Sequence, residues 1–183
     1  MLRTERLLLR PVGPDDVDAF VELASDAETM PWIGDTPGGR ERAVELVERW
    51  CRRWDANGVG PFAILRDGTV IGRAGLLVWD ARTWETSTYE SAGAHAVDEL
   101  GWALASRFWG HGYATEAARA VREWAYRERG IERLVSLIEP RNVRSTRVAV
   151  KLGAEPEQLV RHRDGTPFLV WVHPHDTSSR PRA

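Results

Sequence analysis

The spacing of the apolar residues changes near the centre of the chain, between residues 99 and 126. A short apolar run ends at Leu104, and a glycine-rich stretch follows at 110–114. Beyond that stretch, apolar residues recur every three or four positions, which is helical spacing. These residues are Ala114, Ala117, Ala118, Val121 and Ala125. The pattern therefore predicts a strand, a tight turn and a helix in succession.

The predicted turn, Gly110-His111-Gly112-Tyr113-Ala114, has the features of a phosphate-binding loop. The first N–H groups of a helix have no acceptor within the helix, and they lie at the positive end of the helix dipole. Glycine at 110 and 112 keeps side chains away from these groups, so a phosphate can approach. A glycine pair is equally typical of a ligand-free connection, and that alternative stays open on the pair alone. The stretch lacks the lysine of a P-loop and the third glycine of a dinucleotide-binding fingerprint.

Around this centre, the pattern predicts a mixed order of strands and helices. Strands are predicted where short apolar runs lie between turn residues: Thr4–Arg10, Pro61–Leu65, Val70–Val78, the run ending at Leu104, Ile131–Ile138, Leu159–His162 and Thr166–Val172. Helices are predicted where apolar residues recur at helical spacing: 16–24, 40–56, 114–125 and 143–152, the last capped by Asn142. Ser25–Gly39 is predicted to be a loop, and Trp79–Ala96 a long connection with short strand content near Thr88–Ser91.

One helix joins the fourth and fifth predicted strands, so we expect these two strands to be parallel neighbours and the others to be antiparallel. Parallel strands that diverge at one end open a cleft, and the glycine turn follows the carboxyl end of strand four. A ligand would place its phosphates on the turn and extend an arm along the strand into the cleft. We expect a single domain at 1–173 and a flexible tail at 174–183.

Composition excludes several classes of function. The 25 basic residues are balanced by 27 acidic ones, for a net charge of −2, which gives no nucleic-acid footprint. Lys151 is the only lysine, so a lysine Schiff base or lysine general base is nearly excluded. Cys51 is the only cysteine, which excludes an intrachain disulfide and a cysteine-built zinc site, and we expect no metal. No apolar run reaches membrane-span length and no signal region is present, so we expect a soluble, cytoplasmic protein without a membrane partner.

Several motifs, taken with the order of elements, resemble the GNAT superfamily of acetyl-CoA-dependent N-acetyltransferases. The most similar branch is the RimJ/RimL-like group, which acetylates the N-termini of ribosomal proteins. The motifs are Thr4-Glu5-Arg6-Leu7-Leu8-Leu9-Arg10-Pro11, Glu99-Leu100-Gly101-Trp102, Trp109 to Ala117, Asn142-x-x-Ser145 and Lys151-Leu152-Gly153. The resemblance covers about Thr4–Val172. It implies an α+β three-layer sandwich of the GNAT fold, whose mixed, mostly antiparallel sheet has parallel, splayed strands four and five.

The resemblance also implies an acetyl-CoA site. The family's pyrophosphate loop, [Q/R]-x-x-G-x-[G/A], matches Trp109, Gly110, His111, Gly112, Tyr113 and Ala114, with tryptophan replacing the usual glutamine or arginine. Because backbone N–H groups hold the phosphates, we expect binding to survive that departure. By the same resemblance, the backbone of Trp102, Ala103 and Leu104 pairs with the pantetheine arm as an added strand does. Asn142 is expected to contact that arm near the thioester.

Acetyl transfer to an amine needs a base for the ammonium proton, donors for the carbonyl oxygen, and an acid for the leaving thiolate. The glutamate and tyrosine that some relatives use correspond here to Leu137 and Ala149. We predict that Glu99 is the base, with ordering of the strand ends as its alternative role and His162 as the second candidate. Ser145 is predicted to be the acid, with an ordinary first-turn residue as its alternative. A backbone N–H of strand four is expected to hold the carbonyl oxygen.

The resemblance therefore implies an enzyme that acetylates a protein N-terminus or a small-molecule amine. The missing acid–base pair keeps a second hypothesis open, a GNAT-like module that binds acyl-CoA without turnover as a sensor or interaction partner. We expect Ser25–Gly39 and Trp79–Ala96 to form the walls of the acceptor site, although neither contains a motif that identifies the acceptor. By analogy, a homodimer through the sheet edges or the final hairpin is compatible with the resemblance.

Overall fold

A mixed sheet forms the middle layer of the computed structural model, which describes residues 1–32 and 39–175. The strands in these ranges are β1 (Leu2–Arg3), β2 (Leu8–Pro11), β3 (Pro61–Arg66), β4 (Thr69–Asp80), β5 (Glu85–Thr86), β6 (Ala96–Leu104), β7 (Leu134–Ile138), β8 (Glu155–Arg161) and β9 (Pro167–Val172). The helices are α1 (Val17–Ser25), α2 (Gly39–Asn57), α3 (Tyr89–Ala92), α4 (Tyr113–Glu128) and α5 (Val143–Lys151). None of these helices combines the length and the apolar composition that a membrane span requires.

The sheet has the order β1-β2-β3-β4-β6-β7-β9-β8, with β5 paired to the end of β4. Helix α4 connects β6 to β7, which are parallel, and the other paired strands in the described residues are antiparallel. The predicted parallel pair and its helical crossover are therefore confirmed.

Helices cover both faces of the sheet, because its central strands are buried on both sides. Along β3, Phe62 and Ile64 pack in the same apolar cluster as Val121 of α4. Ala63, between them, belongs to the cluster formed by Phe20 of α1 and by three residues of α2: Leu46, Val47 and Trp50. Successive strand residues point to opposite faces, so α1 and α2 cover one face and α4 the other. The predicted three-layer α+β architecture is confirmed.

Two strand predictions differ from the structure. The strand predicted over Thr4–Arg10 is present only from Leu8, as β2, and residues 4–7 form a turn between β1 and β2, because the Thr4 hydroxyl and the Arg6 backbone N–H donate to the carboxylate of Glu116 on α4. Near Thr88–Ser91 the chain forms helix α3, and the Thr88 hydroxyl caps it by accepting from the Ser91 N–H at 3.1 Å. A threonine side chain that caps a helix favours the helix over a strand at that position. The alternation of apolar and polar residues does not reveal such a cap.

Strands β6 and β7 pair over only two positions, Asp98 with Leu134 and Glu99 with Val135. Beyond that point β6 continues to pair with β4 as far as Leu104, whereas β7 pairs with β9. The two parallel strands therefore separate after Glu99, as the predicted cleft requires.

A buried side-chain bridge spans the point where β6 and β7 separate. The Ser136 hydroxyl of β7 donates to the Leu100 carbonyl of β6 at 2.6 Å, and it lies 2.8 Å from Nε2 of His173. Because the serine proton is committed to Leu100, the serine oxygen accepts from Nε2–H, which fixes the histidine tautomer. Burial lowers the pKa of His173 to about 4, so the ring is neutral at pH 7.

We expect Ser136→Ala to lower the free energy of unfolding by about 1–3 kcal/mol, because it leaves two buried polar groups without a partner. Urea denaturation at pH 7 measures this change. Ser25→Ala is the matched control, since the Ser25 hydroxyl is exposed and donates only to the Val21 carbonyl in its own helix; we expect a change within about 0.5 kcal/mol. Equal losses in the two variants would contradict a bridging role for Ser136.

Candidate active site

A cleft of about 420 Å³ lies where β6 and β7 separate. Its floor is formed by β4, β6 and β7, and its walls by α2, by the start of α5 and by the β8–β9 hairpin. Glu99, Trp102, Asn142 and Ser145, which were predicted from separate parts of the sequence, all line this one cleft.

Glu99 lies in the floor of the cleft, at the last position of β6 that pairs with β7, and only 7% of the residue is exposed. Burial raises the pKa of its carboxyl to about 7, because the charged form loses hydration. Arg73, Arg53 and a hydrogen bond from the Leu137 N–H act in the opposite direction and favour the carboxylate. The Trp79 indole N–H also lies close enough to lower the pKa, although its geometry falls short of a hydrogen bond. Such a group exchanges a proton near neutral pH.

Gly101 leaves room for this carboxylate. It lies two residues after Glu99 on the same face of β6, and a Cβ atom built there would be 3.0 Å from Oε1 of Glu99. The glycine of the Glu99-Leu100-Gly101-Trp102 motif therefore keeps side-chain atoms away from the carboxylate.

The backbone of β6 beyond Glu99 is only partly satisfied on the side of the cleft. The Leu100 carbonyl accepts from the Ser136 hydroxyl. The Leu104 carbonyl accepts from the Thr29 hydroxyl and from the Trp109 indole N–H. Both carbonyls therefore point away from β4. Backbone groups alternate in direction along a strand, so those of Trp102 also point away from β4, whereas the backbone groups of Ala103 face Arg73 on β4. Of the three residues predicted to pair with a cofactor arm, Trp102 has its backbone toward the cleft side, Ala103 faces β4, and Leu104 has an occupied carbonyl.

The glycine turn has the conformation that a phosphate loop needs. Gly110 and Gly112 have φ values of 81° and 82°, a region that favours glycine, and α4 begins at Tyr113. Within the described chain, the N–H groups of residues 110–114 donate to no protein acceptor. A Cβ atom built on Gly110 would have no neighbour within 4 Å, so the approach to these groups is open. The Trp109 N–H, in contrast, donates to the Ser106 carbonyl at 3.0 Å.

Trp109, which replaces the usual polar residue of the loop motif, anchors the turn. Its indole N–H donates to the Leu104 carbonyl at 2.8 Å, and the guanidinium of Arg144 lies 4.3 Å from the ring centroid. The tryptophan thus joins the end of β6, the turn and α5.

The N-terminal turn holds the loop from the other side. Arg6 donates to the His111 carbonyl at 3.0 Å, forms an ion pair with Glu116 at 2.6 Å, and lies 4.7 Å from the ring centroid of Tyr113. Tyr113 is buried in the core, and the His111 ring stacks on it at 5.6 Å. The Thr4-Glu5-Arg6 motif therefore positions the glycine turn, a contact that was not predicted from sequence.

Asn142 caps α5 as predicted, and its side-chain oxygen accepts from the Ser145 N–H at 3.0 Å. Of the two positions where other relatives carry their acid and base, Leu137 lines the cleft. Ala149 is fully buried on the inner face of α5, in the same apolar cluster as Ile138, and is not among the residues that line the cleft.

His162 also lines the cleft, from the β8–β9 hairpin, with its Nδ1 atom 3.3 Å from a carboxylate oxygen of Asp164. The loops predicted to form the acceptor walls contribute part of the lining, through Trp32, Trp79 and Thr86. Residues 33–38 of the predicted Ser25–Gly39 loop lie outside the described residues.

Several cleft residues were not identified from the sequence. Helix α2 contributes Leu46, Arg49, Trp50 and Arg53, and β4 contributes Arg73 and Leu77. The available signal was periodicity: the α2 residues recur at helical spacing, and the β4 residues occupy odd positions on one face of the strand. Periodicity shows which residues share a face, but it does not show that the two faces meet at Glu99.

Comparison with known proteins agrees with the fold. Residues 6–155 match the family described as "Acetyltransferase (GNAT) domain". YkkB, an uncharacterized protein of Bacillus subtilis (strain 168), is 43% identical over 87% of this chain and 88% of its own length. YnaD of the same organism, an uncharacterized N-acetyltransferase, is 30% identical over 85% of this chain and 83% of its own. The crystal structure of an acetyltransferase from Agrobacterium tumefaciens str. C58 superposes with a TM-score of 0.75 at 28% identity, covering 95% of this chain and 94% of that one.

These matches extend over the turn, both splayed strands and Glu99, and they confirm the predicted GNAT fold and enzyme class. The chain therefore belongs to the acetyltransferase (GNAT) family and is an N-acetyltransferase that uses acetyl-CoA.

Proposed function

We propose that the enzyme transfers acetyl directly from acetyl-CoA to a primary amine, with Glu99 as general base and Ser145 as general acid. The observation that carries this proposal is the buried Glu99 carboxyl, whose pKa is raised to about 7 at the floor of the cleft. A base with such a pKa accepts a proton at neutral pH and releases it again, which suits a catalyst that must turn over.

The residues present fit acetyl-CoA, which when bound supplies the acetyl thioester. The unpaired N–H groups of 110–114 would hold its diphosphate, and the Trp102 backbone would pair with the pantetheine arm. Asn142 would use its amide NH₂, since its oxygen already accepts from Ser145. Trp109 would support the loop without donating its own N–H, which is bonded to Ser106.

The chemistry requires three actions from this chain. Glu99 takes a proton from the ammonium form of the acceptor at a carboxylate oxygen, directly or through water. The Trp102 N–H donates to the carbonyl oxygen as that oxygen gains negative charge. The Ser145 hydroxyl, at the first turn of α5, donates a proton to the departing sulfur and is restored by the second proton that the acceptor nitrogen loses as the amide forms, directly or through water. Positioning the amine beside the thioester contributes a large part of the rate enhancement.

The acceptor amine, on a small molecule or at a protein N-terminus, enters a cleft that is lined by aromatic side chains and by α2. We place the chain in the RimJ/RimL-like branch on the Thr4–Pro11 and Asn142–Ser145 motifs. Residues 1–173 act as one catalytic domain, since a single sheet runs from Leu2 to Val172. A cytoplasmic location and a homodimer through the sheet edges or the final hairpin complete the proposal.

The proposal is tested by thiol release from acetyl-CoA with a panel of primary amines, together with CoA binding by calorimetry. We expect thiol release that depends on the amine and a mass increase of one acetyl group on that amine. CoA binding without release for every amine would contradict the proposal and support a binding module instead.

Arg6→Gln should weaken CoA binding about tenfold, because the loss of its bonds to His111 and Glu116 loosens the phosphate loop. Calorimetric titration with CoA gives the dissociation constant. Arg3→Gln is the matched control, since Arg3 is an exposed neighbouring arginine on β1. A similar affinity in wild type and Arg6→Gln would show that the loop holds its shape without Arg6.

Glu99→Gln should reduce kcat about 100-fold at pH 8 and abolish the rise in rate with an apparent pKa near 7. Only the ionised carboxyl accepts a proton, so wild-type activity increases as pH rises through that value. The raised pKa also means that the carboxyl stabilises the fold below pH 4.5 and that this contribution is lost as pH rises toward 7. The variant should therefore match or exceed the thermal stability of wild type at pH 8.

Glu123→Gln, on the exposed face of α4, is the control for this substitution and should leave the pH profile unchanged. His162→Asn tests the second candidate. If the rise near pH 7 persists in Glu99→Gln and disappears in His162→Asn, the base is His162.

Ser145→Ala should lower kcat about 100-fold while the structure of α5 is retained, because the Asn142 cap uses the backbone N–H of residue 145. Steady-state kinetics with the best amine of the panel, measured from pH 6 to 9, give kcat and KM. Unchanged turnover across this range would leave Ser145 as a first-turn residue only.

A further inference from the structure

The guanidinium of Arg144 lies against Trp109, the residue that precedes the glycine turn. Arg144 belongs to the first turn of α5, two residues after the Asn142 cap, and its guanidinium is 4.3 Å from the centroid of the Trp109 ring. The Trp109 indole N–H donates to the Leu104 carbonyl, which holds the ring at the end of β6. A cation is attracted to the face of an indole, so this anchored ring gives the guanidinium a defined place beside residues 110–114.

Arg6 and Arg144 both contact the phosphate loop, but they differ in how strongly they are paired. Arg6 forms an ion pair with Glu116 at 2.6 Å and donates to the His111 carbonyl at 3.0 Å. In the described part of the chain, the ion pair of Arg144 is with Glu28, at 3.8 Å. Both of these side chains are mostly exposed, at 62% and 66%, so the pair contributes little to stability and exchanges easily.

A third arginine, Arg66, contacts the loop through the ring of Tyr113, at 5.0 Å from its centroid. That ring is buried in the core, and the Arg66 guanidinium lies 3.5 Å from the carboxylate of Asp67. Arg144 differs from it in position, because it lies on the helix whose first turn also presents Asn142 and Ser145 to the cleft.

Glu28, the partner of Arg144, belongs to a loop that is attached to the end of β6. The Asp26 carboxylate accepts from the Ser106 N–H, and the Thr29 hydroxyl donates to the Leu104 carbonyl at 3.1 Å. Leu104 also binds the Trp109 indole. Glu28 and Arg144 therefore meet beside the end of β6, next to the route that the proposed cofactor follows from the glycine turn into the cleft.

A diphosphate on the glycine turn would be a stronger partner for Arg144 than Glu28 is. The planar fork of a guanidinium binds phosphate oxygens through paired, charge-assisted hydrogen bonds. The N–H groups of residues 110–114 are donors without a formal charge, so a guanidinium adds a positive charge that the turn itself does not supply. The glutamate, in contrast, is held at the outer limit of an ion pair.

We infer that Arg144 is a cofactor-binding residue, whose guanidinium leaves Glu28 and binds the diphosphate of acetyl-CoA beside residues 110–114. This inference rests on the proposed function, because it assumes that the glycine turn holds that diphosphate. It also explains how the loop works with tryptophan at position 109. The indole N–H is bonded to Leu104 and offers nothing to a phosphate, but the ring supports an arginine from α5.

Calorimetric titration with CoA, 3′-dephospho-CoA and pantetheine tests this inference. The first two contain the diphosphate and differ in the 3′-phosphate, whereas pantetheine has no phosphate. Arg144→Met keeps a long apolar side chain against Trp109 and removes the charge. We expect it to weaken CoA and 3′-dephospho-CoA equally, by about tenfold, and to leave pantetheine unchanged. Arg144→Lys should recover part of the affinity, because it restores the charge without the planar fork.

Glu28→Gln should change the affinity in the opposite direction. It removes the carboxylate that competes for Arg144, so we expect CoA to bind up to about threefold more tightly. A pair that only stabilised the loop would give a loss of affinity in both variants. The matched controls are Arg52→Met and Glu48→Gln, because these exposed residues of α2 form an ion pair of similar length, 3.6 Å. Both controls should bind CoA as wild type does.

The outcomes separate this inference from the proposed function. Equal CoA affinity in wild type and Arg144→Met, with pantetheine much weaker in both, overturns the inference and leaves the proposed function standing. A loss for CoA but not for 3′-dephospho-CoA would assign Arg144 to the 3′-phosphate, and an equal loss for pantetheine would reduce Arg144 to a support of Trp109. Either result overturns the inference.

The expected pattern of affinities, combined with no thiol release for any amine, would support the inference and contradict the proposed function alone. If wild type binds CoA no more tightly than pantetheine, the glycine turn does not hold the diphosphate, and the inference is overturned together with the proposed phosphate loop.

Discussion

The separation of β6 and β7 after a two-residue pairing is the constraint on which the site depends. A strand that loses its neighbour exposes backbone groups that must find other partners, because an unpaired buried group is costly. Here the carbonyls of Leu100 and Leu104 are satisfied by side chains, and the backbone of Trp102 is left toward the cleft. The bridge from Ser136 to Leu100 fixes where the strands part. A stable gap in a sheet is thus obtained without a general loss of hydrogen bonding.

Glu99 derives its chemistry from its position at this gap. On an exposed strand the same neighbours would favour the carboxylate, whereas burial here makes ionisation costly and raises the pKa. The arginines and the Leu137 N–H offset only part of that cost, so the pKa comes to about 7. The gap in the sheet and the proton affinity of the proposed base therefore have one structural origin.

The phosphate loop depends on contacts from distant parts of the chain. Glycine allows residues 110 and 112 to adopt positive φ values, but glycine alone would leave the turn free to adopt other backbone conformations. Arg6 holds the His111 carbonyl and Glu116, and Trp109 bonds to the end of β6. The loop is thereby presented with its N–H groups outward, which reduces the ordering that a bound diphosphate would otherwise have to impose.

The sequence by itself determined the elements that depend only on residues close together in the chain. The glycine turn, the Asn142 cap, the change from strand to helix spacing after Leu104 and the parallel pair all follow from residues within a short stretch, and all are present. Glu99, Ser145 and Asn142 were identified by motif, and they line one cleft. The strand predicted over Thr4–Arg10 begins only at Leu8, because Glu116, far along the chain, accepts hydrogen bonds from Thr4 and Arg6 and holds residues 4–7 in a turn. Only the tertiary structure brought Arg53 and Arg73 to Glu99 and raised the pKa of that carboxyl by burial, because hydration and electrostatic potential depend on which faces meet.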